Sequence, residues 1–402
     1  MTPLFASIPL GRAVQQIRQK AVASDFKIAL ENIESWTGRL IENETASFES
    51  EGIAFSKGDV LFGKLRPYLA KVIEVGRNGS AVGDLWVLRP VKYTPRYLKY
   101  LLLDKTFIDA VHGATFGSRM PRVSWDIARH IKLPHPEINK QQDIADFLDR
   151  ETSKIDALIA KQEELIITLG ERKRAELSKA VREGIYGSAM ADSRYVWLGK
   201  TPKDWDTLPI WSILRIKREL VGGDWRATPL LSLTKRGIIP RDIESGKGKF
   251  PESFETYQLV EPDDLVFCHF DIEETPRTVG LVEIDGMLTG AYTRYVVINK
   301  ERYDPKFLSL LFEDIDNEKR LKPFYTGLRN TMQKDRFASL RIALPSIGEQ
   351  KRIVDFLERK ISSVDKLASQ AVRVNELLKE RRQSLISAAV AGKIDLRRRA
   401  PR

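Results

Sequence analysis

The chain states one segment twice, about half its length apart, and this repetition restricts its fold more than any other feature. Gln141-Gln142-Asp143-Ile144-Ala145-Asp146-Phe147-Leu148-Asp149-Arg150 returns as Gln350-Lys351-Arg352-Ile353-Val354-Asp355-Phe356-Leu357-Glu358-Arg359. The step from 141 to 350 is 209 residues, and it holds downstream: Ile155-Asp156 answers Val364-Asp365, and Glu171-Arg172-Lys173 answers Glu380-Arg381-Arg382. Solenoid repeats have periods of about 20–50 residues, so a period this long marks a duplicated domain. The neighbouring residues repeat more faintly. Lys57-Gly58-Asp59-Val60-Leu61-Phe62 parallels Pro262-Asp263-Asp264-Leu265-Val266-Phe267, and Tyr93-Thr94-Pro95 parallels Tyr303-Asp304-Pro305, each a turn entering a short helix. Gly117-Ser118-Arg119 parallels Gly327-Leu328-Arg329, and both halves close on Leu-Pro, at Leu133-Pro134 and Leu344-Pro345.

Composition along the chain divides it into blocks. Residues 1–137 and 195–347 are mixed, with strand-like runs such as Asp59-Val60-Leu61-Phe62 and Leu85-Trp86-Val87-Leu88 broken by Gly and Pro. Residues 138–183 lack Pro and read as one long helix, and 348–394 read as a second. Residues 184–194, opening on Gly184-Ile185-Tyr186-Gly187-Ser188, form a linker, and 395–402 a basic tail. In the first helix Ile144, Leu148, Ile155, Leu158, Leu165 and Leu169 trace a seam close to a 3.5-residue repeat. Ile353, Leu357, Val364, Leu367, Val374 and Leu378 trace the same seam in the second. An apolar stripe this long must be buried, and the duplicate helix is the obvious partner. The layout predicts a mixed α+β fold: two pseudo-twofold-related globular domains joined by two long antiparallel coiled-coil helices.

The charge balance points toward a polyanion. Net charge is +11 and the isoelectric point near 9.5, which favours nucleic acid, because each neutralised phosphate releases counterions. The single cysteine, Cys268, excludes an intrachain disulfide and suits a reducing compartment. No apolar run reaches the roughly 18–20 residues of a membrane span, and the N-terminus lacks a signal-peptide layout, so a cytoplasmic protein with no membrane association is expected.

Catalytic signatures are scarce. Gly246-Lys247-Gly248-Lys249 has neither the spacing nor the hydroxyl residue of a phosphate loop. Four His and one Cys leave no Cys/His zinc site. Asp263-Asp264 with Glu273-Glu274 invites a metal-dependent nuclease reading, but no Glu-x-Lys element follows, so no catalytic or metal-ligating residue is assigned. Cations, by contrast, gather where a nucleic-acid reader needs them. The first half offers Lys64, Arg66, Tyr68 and Lys71, then Ser118, Arg119 and Arg122 in a Gly-opened loop. The second offers Arg277, Arg294, Arg329, Asn330, Gln333 and Lys334, with Arg336 beside them. Arg pairs with guanine, Asn and Gln with adenine, and Lys with phosphates.

Taken together, these residues resemble the specificity subunit of type I restriction–modification systems. The resemblance spans the chain and rests on Leu133-Pro134 followed by the Gln141–Asp149 run, on Leu344-Pro345 followed by Glu349-Gln350 and the run to Leu357, on Gly58-Asp59-Val60-Leu61-Phe62-Gly63-Lys64-Leu65-Arg66-Pro67-Tyr68, and on the closing Arg381–Ile394 segment. It implies a non-catalytic DNA-binding subunit. Residues 1–137 and 195–347 would be target-recognition domains, each reading half of a bipartite asymmetric sequence in double-stranded DNA. The helices would set the spacing and dock two methylation subunits, to which restriction subunits add. No cofactor is implied on this chain; S-adenosylmethionine, ATP and Mg belong to the partner subunits. Two neighbouring readings are a specificity subunit of a type II system and a DNA-modifying enzyme with a cryptic active site; a coiled-coil adaptor with incidental charge is a third.

Overall fold

In a computed structural model the described residues are 5–21, 26–41, 52–117, 119–242 and 253–394. Ser118, the Gly246–Lys249 run and the tail 395–402 lie outside them. The chain divides into two compact units, Met1–Glu164 with Ala371–Arg402, and Leu165–Gln370.

The first unit is organised by a four-stranded antiparallel sheet of β1 (Val14–Ile17), β2 (Val60–Gly63), β3 (Val72–Glu74) and β4 (Leu85–Pro90), in the order β1-β4-β2-β3. Side chains alternate between the two faces of a strand. Val60, Phe62, Trp86 and Leu88 therefore enter one apolar core, while Leu61, Ile73, Leu85 and Val87 enter another with Ile28, Ile33 and Phe55. Burial on both faces is why these strands read as continuous apolar runs. Helix α1 (Pro95–Leu103) follows; the Thr94 side chain accepts the Tyr97 N–H and Pro95 occupies the first turn, a favoured helix start.

The second unit repeats this plan. Strands β5 (Leu214–Ile216), β6 (Leu265–Phe267), β7 (Val279–Leu281) and β8 (Thr293–Val297) pair antiparallel in the order β5-β8-β6-β7. Helix α2 (Pro305–Asn317) is capped by Asp304, again with Pro in the first turn.

An acid–base pair on a buried carboxylate ties each sheet. Asp59 meets Arg89 at 2.8 Å and accepts the Ser56 N–H, while Asp264 meets Arg294 at 2.6 Å and accepts the Glu261 N–H. All three second-half residues lie 205 positions after their first-half counterparts. Arg294 is fully buried and also donates to the Leu259 carbonyl at 2.8 Å. It holds the sheet together, which corrects its expected place among the DNA-contacting residues.

The long helices run Ile138–Glu183 and Ile347–Val390, and residues of both enter each core. Ile144, Phe147 and Leu148 join Ile386, Ala389 and Val390 in the first unit; Leu177, Ala180 and Val181 join Ile353, Val354 and Leu357 in the second. The run is antiparallel within each unit. Asp156 pairs with Arg382 at 2.8 Å and Glu163 with Asn375 at 3.3 Å in the first, and Lys173 with Asp365 at 2.8 Å in the second. Arg382 lies 209 residues after Lys173, and Asp365 lies 209 after Asp156, so the duplication places one ion pair twice.

The contacting face differs from the expected seam. Ile144, Leu148, Thr152, Ile155, Ile159, Gln162, Ile166, Leu169, Lys173, Leu177 and Ala180 are all buried or half-buried. Their duplicates Ile353, Leu357, Ile361, Val364, Ala368, Ala371, Asn375, Leu378, Arg382, Ile386 and Ala389 are too, at identical spacings. Leu158, Leu165, Leu367 and Val374, expected on the seam, are 43–50% exposed. The face steps by four residues after Ile155 and Val364, to Ile159 and Ala368, so the larger leucines at the three-residue step fall outside. Its middle carries Gln162, Ala368, Ala371 and Asn375, small or polar residues that a search for apolar side chains passes over.

One further device anchors each long helix. The buried Gln141 accepts the Thr94 N–H at 2.8 Å and donates to the carbonyls of Lys92 and Pro136 at 3.1 and 3.0 Å. Gln350 accepts the Asp304 N–H at 2.8 Å and donates to Arg302 and Pro345 at 3.2 and 2.8 Å. A single amide thus satisfies three buried backbone groups, and the repeated glutamine is a structural clamp.

Candidate nucleic-acid interface

In the first unit two loops meet beyond the sheet. After β2 the chain turns through Arg66 in the left-handed region, φ +48°, into a short turn at Pro67–Leu69. The Arg66 N–H donates to the Pro121 carbonyl at 2.7 Å, and the Lys64 carbonyl accepts the Val123 N–H at 3.0 Å. Phe116 and Arg122 exchange two backbone hydrogen bonds of 3.0 Å, closing a hairpin whose turn opens at Gly117, φ +89°. A Cβ there would be strained, which is the reason for the glycine.

This junction gathers most of the first-half candidates on one surface. Arg66, Tyr68, Arg119 and Arg122 are exposed and Lys64 is half-buried. Asp84 lies among them, accepting from Arg122 at 2.9 Å and standing 3.8 Å from the Lys64 ammonium. Tyr68 packs its edge on His112, ring centroids 5.3 Å apart. Lys71 is half-buried and stands apart from this group. Its ammonium turns inward to the carbonyls of Leu30 and Ile33, at 2.6 and 2.9 Å, and burial pulls its pKa below the usual lysine value. Lys71 braces the loop from behind, a correction to its expected role.

The second unit builds the same junction from other side chains. Thr326 and Thr331 exchange two backbone bonds of 2.9 Å around a turn containing Gly327 at φ +72° and Asn330 at φ +43°. The Asp271 N–H donates to the Arg329 carbonyl at 2.7 Å, and the His269 carbonyl accepts the Met332 N–H at 2.9 Å. Arg329, Gln333 and Lys334 are exposed and Asn330 is half-buried. The Arg329 guanidinium is gripped by both Asp271 oxygens, with Nε to Oδ1 at 2.9 Å. Hydrogen bonding from Arg329 holds the Asp271 carboxyl below the usual carboxylate range. Asn330 donates to Glu274 at 3.2 Å, Leu328 at the tip is fully exposed, and Arg336 lies 5.2 Å over the Phe324 ring.

Arg277 behaves like Arg294. It pairs with Glu313 and donates to the carbonyls of Val279 and Lys235 at 3.1 and 3.2 Å, leaving its side chain only 18% exposed. It fastens β7 to α2, correcting its expected contact with DNA. As letters, the cations do not reveal which of them have internal partners. Asp84, Asp271 and Phe270, which hold the exposed Arg122 and Arg329, were not among the expected site residues. The signal that reveals Asp271 is the 205-residue register, which sets it opposite Arg66.

The acidic residues that invited a nuclease reading are each engaged. Asp264 binds Arg294, Asp263 binds Lys300 at 2.8 Å, Glu273 pairs with Lys322 and Glu274 with Asn330. Among the described residues no group of three or more His, Cys, Asp or Glu is placed to hold a metal ion, and no helix is long and apolar enough to cross a membrane.

Comparison with known proteins agrees with this architecture. Residues 32–166 match the family model of the type I restriction modification DNA specificity domain. Over 161 residues the chain is 24% identical to the Type I restriction enzyme EcoDI specificity subunit of Escherichia coli, covering 39% of this chain and 35% of that protein. Over 356 residues it is 21% identical to the MjaVIII specificity subunit of Methanocaldococcus jannaschii, covering 84% of this chain and 76% of that one. In fold it resembles a chain of a solved type I R-M system, with TM-score 0.69, 15% identity and coverage of 98% and 99%. It also resembles the HsdS subunit of Thermoanaerobacter tengcongensis, with TM-score 0.53, 14% identity and 98% of both chains.

Proposed function

We propose that this chain, whose resemblance to type I specificity subunits holds in sequence and in fold, is the DNA-reading subunit of a type I restriction–modification complex. Each unit reads one half of a bipartite, asymmetric double-stranded target. The observation that carries this reading is the repeated junction of two loops on a shared scaffold, bearing Arg66, Arg119 and Arg122 in one unit and Arg329, Asn330, Gln333 and Lys334 in the other. A common frame with different side chains suits two different half-sites. Arginine forks match guanine edges, and amide side chains match adenine. The excess positive charge adds sequence-independent affinity.

In this reading the paired long helices fix the half-site spacing, and their outer faces dock two methylation subunits, with restriction subunits joining the complex. S-adenosylmethionine, ATP and Mg act on those partners in the cytoplasm, and this chain contributes recognition without a catalytic group.

The deciding experiment assembles the chain with its methylation subunits and maps the adenines they methylate. A two-part motif with a fixed gap supports the proposal; methylation by the chain alone with S-adenosylmethionine and metal sinks it. Removing seven residues at matched positions from each long helix shortens the pair by about 10 Å, so the gap should shrink by roughly three base pairs. An unchanged gap rejects the helices as the spacer.

A further inference from the structure

The guanidinium of Arg329 presents two edges, each able to serve two acceptors at once. Asp271 occupies the side-on edge, Nε and Nη2, with both carboxylate oxygens. The Arg329 carbonyl accepts the Asp271 N–H at 2.7 Å, so backbone and side chain tie the same two residues. The Phe270 ring lies 5.1 Å from Cζ and backs the group. Among the described residues nothing pairs with Nη1, and the Arg329 side chain is 66% exposed. What remains accessible is the end-on edge, Nη1 with the second Nη2 proton, whose spacing matches the O6 and N7 acceptors of guanine.

We infer that Asp271 is a positioning residue for base readout: it holds Arg329 so that the end-on guanidinium edge addresses one guanine in the half-site of the second unit. The inference rests on the proposed function and deepens it. Pre-orienting a long side chain removes much of the entropy otherwise lost on binding. Two acids add selectivity, since Asp271 and Glu274 place carboxylates beside the hairpin, the latter bonded to Asn330 at 3.2 Å. They disfavour a phosphate contact at Arg329 and leave the base edge as its favoured partner. At the corresponding place the first unit carries Arg66, a cation suited to the backbone.

The test uses the complete methylation complex and a panel of duplexes varying each base pair of the mapped target. Arg329→Ala should reduce discrimination at one guanine position by about 10- to 100-fold. Asp271→Asn should lose most of the same discrimination at the same position, with unchanged or tighter binding to non-specific DNA. Asp271→Glu should restore part of it, and the double variant should be no worse than Arg329→Ala. Because an exposed pair adds little stability, thermal unfolding should stay where it is, so any lost discrimination does not come from unfolding. If Arg329→Ala relaxes one position while Asp271→Asn leaves it intact, the positioning role is overturned and the proposed function stands. If neither variant alters any position although the wild-type complex discriminates, the pair lies outside the interface. Absence of sequence discrimination in the wild-type complex overturns the functional reading itself.

Discussion

Arg66 and Asp271 occupy one backbone position in two copies of the same scaffold. They lie 205 residues apart, each has φ +48°, and each donates its N–H at 2.7 Å to a carbonyl of the neighbouring hairpin, Pro121 or Arg329. Their charges are opposite. The backbone frame is the same to within the geometry of a hydrogen bond, while the group it displays is of opposite charge.

Arg294→Ala should destabilise the second unit by about 3–5 kcal/mol, because it strands the buried carboxylate of Asp264. Chemical denaturation would register the loss. The effect should be independent of DNA sequence, and selective loss at one base position would restore Arg294 to the interface.

The duplicated helix ion pairs should differ in weight. Arg382 is 5% exposed, binds Asp156 and donates to the carbonyls of Trp36 and Thr37 at 2.7 and 3.0 Å. Its replacement by Ala should cost about 3–5 kcal/mol. Lys173 and Asp365 are 36% and 54% exposed, so Lys173→Ala should cost about 1 kcal/mol or less. Hydrogen exchange at residues 36–39 would rise in the Arg382 variant alone.

Gln141→Ala should leave the Thr94 N–H and two carbonyls without their partner and cost about 1–3 kcal/mol. Gln350→Ala should cost a similar amount in the second unit. Faster exchange at the Thr94 or Asp304 amide, confined to the altered unit, would locate each loss.

His269 predicts an acid sensitivity confined to the second unit. Burial, helped by the nearby Lys334 charge, lowers its pKa to about 4 from an ordinary 6.5, and its Nε2 lies 3.0 Å from the Tyr295 hydroxyl. The unfolded chain takes up the proton first, so the contribution is complete above pH 6.5. It is lost as pH falls toward 4, by about 3 kcal/mol across the window. Melting curves of wild type and His269→Gln between pH 7 and 4.5 should diverge, the variant keeping the shallower slope; parallel curves would exclude His269 as the cause.

The long helices were legible because their signal is local: a Pro-free run with helical periodicity and a strong echo. Their antiparallel pairing followed from the duplication. The seam was half legible. Its ends, Ile144, Leu148, Ile353 and Leu357, are large apolar residues, whereas its centre is built from Gln162, Ala368, Ala371 and Asn375. Small and polar residues carry no apolar signal in the sequence, and their burial is visible only in the fold.

The amino-acid sequence alone determined the duplication, the mixed fold with two long helices, and the two Gly-opened loops with their basic residues. All of these rest on local periodicity, turn chemistry and repetition. Tertiary structure decided which cations are displayed and which are spent inside. Lys71, Arg277 and Arg294 look no different from Arg119 or Arg329 as letters. Their roles depend on the carbonyls of Leu30 and Leu259 and on the carboxylates of Glu313 and Asp264, brought to them from 30 to 41 residues away. Burial and pairing are properties of the packed neighbourhood, and for these side chains the neighbourhood exists only once the sheets and helices have closed around them.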